Sequence, residues 1–208
     1  MRVSSLYLVA VLLVVSLPGA LRGNQSSIVV HVIDCAGVSP TAMSVAEHTM
    51  VRAFAASGVR VLWREERTLQ AGHSALNHVA VIILSREMVR QKSAIDDVPV
   101  NALGSAAPPP TRRAWIFLDR IEELAGRQRT SVGSILGVVI AHEVAHAAAG
   151  IAHSTNGIMG RELRTGNHHV GGFSEEQGEQ IRVALRLAAD GDSGATTPVA
   201  SLSWPPFP

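Results

Sequence analysis

Three histidines and a glutamate interrupt an otherwise apolar, small-residue stretch, VVIAHEVAHAAAGIAHSTNGIMG, which runs from Val138 to Gly160. On a helix, residues four apart lie one turn above each other, so His142 and His146 aim their imidazoles at one point while Glu143 projects alongside. The helix has a legible start and stop: Thr130 or Ser131 caps it, and Gly150 supplies a place to turn. Only Ile151 and Ala152 then precede His153, which can swing back to the same point. Three neutral imidazoles leave one position of a four-coordinate zinc open for water, as in a catalytic rather than a structural site. Cys35 is the only cysteine, so a closed thiolate site is excluded. Glu143, adjacent to a ligand but not itself bound, is placed to take a proton from that water. The competing reading is that His142 and His146 are helix residues satisfied by local hydrogen bonds; three histidines at these spacings, with a cap before and a glycine break after, argue against it.

His142-Glu143-x-x-His146 with Gly150, His153 and the later Gly157-Ile158-Met159 resembles the metzincin clan of zinc metallopeptidases, which carry H-E-x-x-H-x-x-G-x-x-H and a downstream methionine turn. The resemblance implies His142, His146 and His153 as metal ligands, Glu143 as general base and Met159 as the turn methionine. Ser154, directly after the third histidine, is similar to the matrixin branch, and the whole also looks like short exported bacterial proteins of metzincin type. The match covers about twenty residues and departs from the pattern once. Ala147 to Ala149 separate His146 from Gly150 where the usual spacing is two residues. An extra helical residue rotates the glycine by about 100° and advances it by about 1.5 Å, so the loop to His153 must compensate. His168 and His169, in TGNHHVGGF, are the alternative third ligand. The only tyrosine, Tyr7, lies far from the motif in the N-terminal apolar run, so no phenol is at hand to ligate the metal or steady an oxyanion as in astacin-like relatives.

The rest of the chain bounds the fold that holds this helix. With 208 residues, 47% of them hydrophobic, it is long enough for one well-buried domain and too short for two. SIVVHVIDC is β-branched and short, a strand; SPTAMSVAEHTMVRAFAASG is a helix with Ser39 as N-cap, Pro40 at the first helical position and Gly58 at its close. VRVLWRE and HVAVIILS are two more strands. From Arg86 to Arg113 the pattern dissolves into polar residues and Pro108-Pro109-Pro110, reading as a long surface excursion that includes at most an edge strand. Trp115 to Leu118 form a further strand. Ser174 opens a last helix with an apolar stripe at Ile181, Leu185 and Ala188. Cys35, at a strand end, reads as a buried small hydrophobe, with a thiolate cap on the metal as the sharper alternative.

The expected class is therefore α/β (α+β): a metzincin-like mixed, mainly parallel sheet with a long active-site helix and a C-terminal helix, over residues 24–190. Arg2, the apolar run Leu6 to Leu17 and Pro18-Gly19-Ala20 read as a signal peptide over residues 1–23, implying a secreted or periplasmic protein with no stable membrane association once the signal is removed. Residues 191–208, rich in Gly, Ser, Thr and Pro, are expected to be a disordered tail. A net charge of +1, with no long basic run, excludes nucleic acid as a partner. The expected activity is that of an exported zinc-dependent metalloendopeptidase, a hydrolase with one catalytic Zn2+ and a peptide or protein substrate. The rival is a non-catalytic metal-binding or surface-interaction module on the same scaffold, against which Glu143 itself argues, since a pure zinc holder has no need of a base.

Overall fold

The computed structural model describes residues 26–68, 77–109, 111–155, 157–161 and 172–192. The expected signal peptide at 1–23, most of the expected tail, and His168 and His169 lie outside these residues. In chain order the elements are β1 (Ser27–Asp34), α1 (Pro40–Ala55), β2 (Arg60–Glu66), β3 (His78–Leu84), α2 (Arg86–Asp96), β4 (Gly104–Ala107), β5 (Arg113–Phe117), α3 (Leu118–Gln128), α4 (Val132–Ala149) and α5 (Glu175–Asp192). The strands make one sheet in the order β2-β1-β3-β5-β4, parallel throughout except for β4, which runs antiparallel to β5 at the edge. The mixed, mainly parallel sheet with its long helix and C-terminal helix is thus present.

Side chains on a strand alternate between the two faces of the sheet, and both faces of the central strands are covered. Ile28, Val30 and Val32 of β1 join Val79, Val81 and Ile83 of β3 in a core shared with α1, α3, α4 and α5. Ile33 of β1 joins Ile82 and Leu84 of β3, Phe117 of β5 and Val89 of α2 in a smaller cluster on the other face. That period-two split explains why β1 and β3 read as nearly continuous apolar runs.

Helix α4 is the centre of the larger core, with nearly every side chain buried. Ser131 is its N-cap, accepting from the Ser134 N–H at 3.4 Å. By length and composition α4 is apolar enough to cross a membrane, yet its surface is taken up by neighbouring elements, the burial of a core helix. Gly133 and Gly137 let α1 approach it closely: a Cβ at either would stand 2.5 Å from a carbonyl oxygen of α1, that of Ala42 or Ala46. The ~0.5–1 kcal/mol that a mid-helix glycine costs is offset there by backbone contact that no larger residue allows.

Two stretches differ from expectation. The polar excursion after Arg86 contains α2, and β4 follows it at the sheet edge. Helix α2 is missed because it buries so little: among its side chains only Val89 and Lys92 are buried, the latter with its ammonium 3.5 Å from the Trp115 ring centre and 2.5 Å from Asp96. A lysine reads as polar in sequence even where its ammonium is buried against a ring and a carboxylate. The fifth strand also stops at Phe117, and Leu118 begins α3 with no intervening loop. Cys35 is exposed rather than buried, and partial desolvation together with Asp34 pushes its thiol up, away from the thiolate form.

Candidate metal centre

The last turns of α4 carry His142 and Glu143, both buried, and His146, half-buried. The helix ends at Ala149, and Gly150 takes a left-handed conformation at φ 63° while its N–H donates to the His146 carbonyl at 2.9 Å. This is the C-cap that glycine accommodates without strain. The helix therefore runs one residue further than the usual spacing, and the next residues absorb the difference. Ile151 turns inward and is 5% exposed, and the His146 Nδ1–H donates to its carbonyl. Ile158, 2% exposed, anchors the far end of the loop, where its carbonyl accepts from His142 Nδ1 at 2.7 Å.

Between these anchors the loop closes on itself. The Ser154 N–H donates to the Met159 carbonyl at 2.8 Å, and Gly157, at φ 74°, allows the tight turn that buries the Met159 side chain in the main core. His153 stays exposed at the mouth, with its ring turned toward α4.

The three Nε2 atoms face one another: His142 to His146 at 3.0 Å, His142 to His153 at 3.2 Å and His146 to His153 at 3.2 Å. Because Nδ1 of both helix histidines donates to a carbonyl, their Nε2 atoms carry lone pairs and cannot donate to each other. Lone pairs at such separations repel unless a cation lies among them. A tetrahedral zinc about 2.0–2.1 Å from each nitrogen requires those nitrogens about 3.3–3.4 Å apart, so the donor set fits that ion closely. Carbonyl acceptors on the outer nitrogens are the support that metal-ligating histidines ordinarily have.

Electrostatics favours the neutral, ligand-ready rings. Burial lowers the His142 pKa below the ordinary imidazole value against the pull of the Ile158 carbonyl. Burial, reinforced by His142 and His153, pushes His146 down to about 4. Glu143 moves the other way, up to about 8, because burial disfavours its carboxylate. Its carboxyl oxygens are not part of the cluster of potential donor atoms that lie within 4.8 Å of one another, which comprises His142, His146 and His153.

The structure thus brings His142, His146 and His153 together, with Glu143 next to His142 on α4 and the Met159 side chain buried in the main core. Sequence reasoning missed the two backbone carbonyls that orient the rings. Carbonyls carry no side-chain signature; the apolar character of Ile151 and Ile158, which pins both to the core, was the available signal.

Fold and site define a class: a mixed α/β domain whose central helix and following loop converge three imidazoles suited to a metal ion. No protein-family model matches the chain, and no curated protein matches it. Among solved structures it is similar to archaemetzincin from Methanopyrus kandleri, at 13% identity and a TM-score of 0.49, with 80% of this chain and 99% of that chain covered.

Proposed function

We propose that the chain is an exported zinc-dependent metalloendopeptidase of the metzincin type that its motif resembles, with one zinc on His142, His146 and His153 and Glu143 as general base. The observation that carries this reading is the convergence of three Nε2 atoms, two of which carry lone pairs because carbonyls engage the opposite ring nitrogens. When bound, zinc lowers the pKa of water into the neutral range and polarises a peptide carbonyl.

The chain's own residues do the rest. Two neutral rings held by Ile151 and Ile158 need no reorganisation to bind the ion. Glu143 takes a proton from the attacking water at a carboxylate oxygen and passes it to the departing amine nitrogen. Met159 fills the volume beneath the histidines. The near-neutral charge balance supports a peptide or protein substrate over nucleic acid. Export to a secreted or periplasmic location rests on Arg2 and the apolar run Leu6 to Leu17.

Zinc content and cleavage of an unfolded protein, with and without chelator, test the activity: one zinc per chain and chelator-sensitive hydrolysis are expected. Zinc binding with no cleavage across a broad peptide library would leave the non-catalytic module as the better account. For export, intact mass of the mature chain should place its first residue between about Leu17 and Ser27. A mass starting at Met1 in an exported fraction would exclude it.

A further inference from the structure

Gly104, the first residue of the edge strand β4, has no conformational reason to be glycine. It is absent from the left-handed positions of the backbone, which include Gly37, Gly58, Gly150 and Gly157. Glycine weakens a strand, and inside one it commonly marks a close approach by something else. Here the approaching group is Glu143: a Cβ on Gly104 would stand 2.8 Å from its Cγ and 2.8 Å from its Oε1, and 2.9 Å from the Trp115 carbonyl. At Gly133 and Gly137 the closest atom is instead backbone of α1, so helix packing explains those two.

The β4 backbone at this point cannot retreat. Gly104 pairs with Ile116 in the antiparallel ladder, and the Phe117 N–H donates to the Leu103 carbonyl at 2.9 Å. The Arg120 guanidinium, lying over the Phe117 ring, donates to the carbonyls of Pro99 and Ala102, each at 2.8 Å. A side chain at position 104 would therefore press on both Glu143 and the Trp115 carbonyl, and of the two the Glu143 side chain is the one free to swing aside.

We propose that Gly104 is a positioning residue: its missing side chain leaves the space in which Glu143 lies between α4 and the clamped β4 backbone, and so sets the direction of the carboxylate. The catalytic meaning of this rests on the reading of Glu143 as the base; the contact itself does not.

A double-mutant cycle separates the two. In chelator, Gly104→Ala should lower the thermal midpoint by about 5 °C, and the same change in a Glu143→Ala background should cost less than half as much. Equal costs in both backgrounds would overturn the proposal, whatever the activity. If Gly104→Ala fails to fold, the Gly104→Ala/Glu143→Ala pair decides: folding of the pair supports it, and failure assigns the effect to the Trp115 carbonyl and overturns it.

In the zinc-loaded chain, Gly104→Ala should keep one zinc and its KM while kcat falls on the order of a hundred-fold. In a Glu143→Gln background the same change should alter the residual rate less than about threefold, because it acts through a base already removed. A full additional loss there would overturn the proposal. A parent chain without hydrolysis would remove the peptidase reading, and the cycle in stability would still decide the contact.

Discussion

His31, Glu66 and His78 form a second polar group on the sheet, on the face opposite α4 by the alternation of β1. His31 is 1% exposed, its Nδ1 lies 2.5 Å from Glu66 Oε1, and its Nε2 lies 2.9 Å from His78 Nδ1. Both nitrogens of the central ring are engaged in a line, carboxylate to imidazole to imidazole. In the α4 group the outer nitrogens of two rings are engaged and the inner ones converge. Clustering of histidines is thus common to both regions, and the direction of the second nitrogen separates them. A line of pairs uses both nitrogens of the central ring; a triangle of converging nitrogens suits a cation.

The sharpest break of this comparison is metal content. His142→Ala and His153→Ala should each weaken zinc binding by more than the roughly 10–100-fold that loss of an outer partner costs. If His153→Ala keeps zinc while His168→Ala or His169→Ala loses it, the third donor lies elsewhere. Next in size is a change that leaves the metal alone: Glu143→Gln should retain close to one zinc per chain while hydrolysis falls on the order of a hundred-fold or more. Loss of zinc in that variant would make Glu143 a ligand or structural support.

The other region should answer only in stability. Glu66→Gln should leave zinc content unchanged and cost about 1–2 kcal/mol, read from denaturant unfolding. A drop in zinc would show that the two groups are coupled.

A pH dependence follows for the metal-free chain. With its folded pKa raised to about 8, Glu143 favours folding below its unfolded value near 4.5, and that contribution is lost as pH rises through 8. His142 and His146, lowered by burial, act oppositely: their contribution is present above the unfolded value of 6.5 and is lost as pH falls toward about 4, the His146 value. Glu143→Gln should therefore raise the melting temperature in chelator at pH 8 more than at pH 5. An equal shift at both would show that Glu143 does not titrate with folding. Smallest is Met159→Leu, a near-isosteric change expected to cost below about 1.5 kcal/mol and no zinc. Metal loss comparable to His142→Ala would contradict the packing role proposed for it.

What was legible in sequence follows the range of the interactions. Helix α4, a cap at Thr130 or Ser131 and its Gly150 stop were readable because capping and helical period act within a few residues, and the structure puts the cap on Ser131. The same period put His142 and His146 one turn apart with Glu143 beside them. Strands β1 and β3 declared themselves as short β-branched runs because both sheet faces are buried. Helix α2 did not, since its burial amounts to Val89 and Lys92, whose ammonium lies over Trp115, a partner supplied by β5.

Tertiary structure alone decided how the site closes. His153 meets the helix histidines because the loop after Gly150 is tied at Ile151 and Ile158, and the second tie spans sixteen residues to a backbone atom with no mark in the sequence. Gly104 meets Glu143 only because β4 pairs antiparallel to β5 and lies against α4. His31 and His78, forty-seven positions apart, become neighbours through the pairing of β1 with β3. A local period determines which side chains share a helix face; which lone pairs, carbonyls and missing Cβ atoms they meet depends on elements brought together by burial, and no short stretch of sequence encodes that.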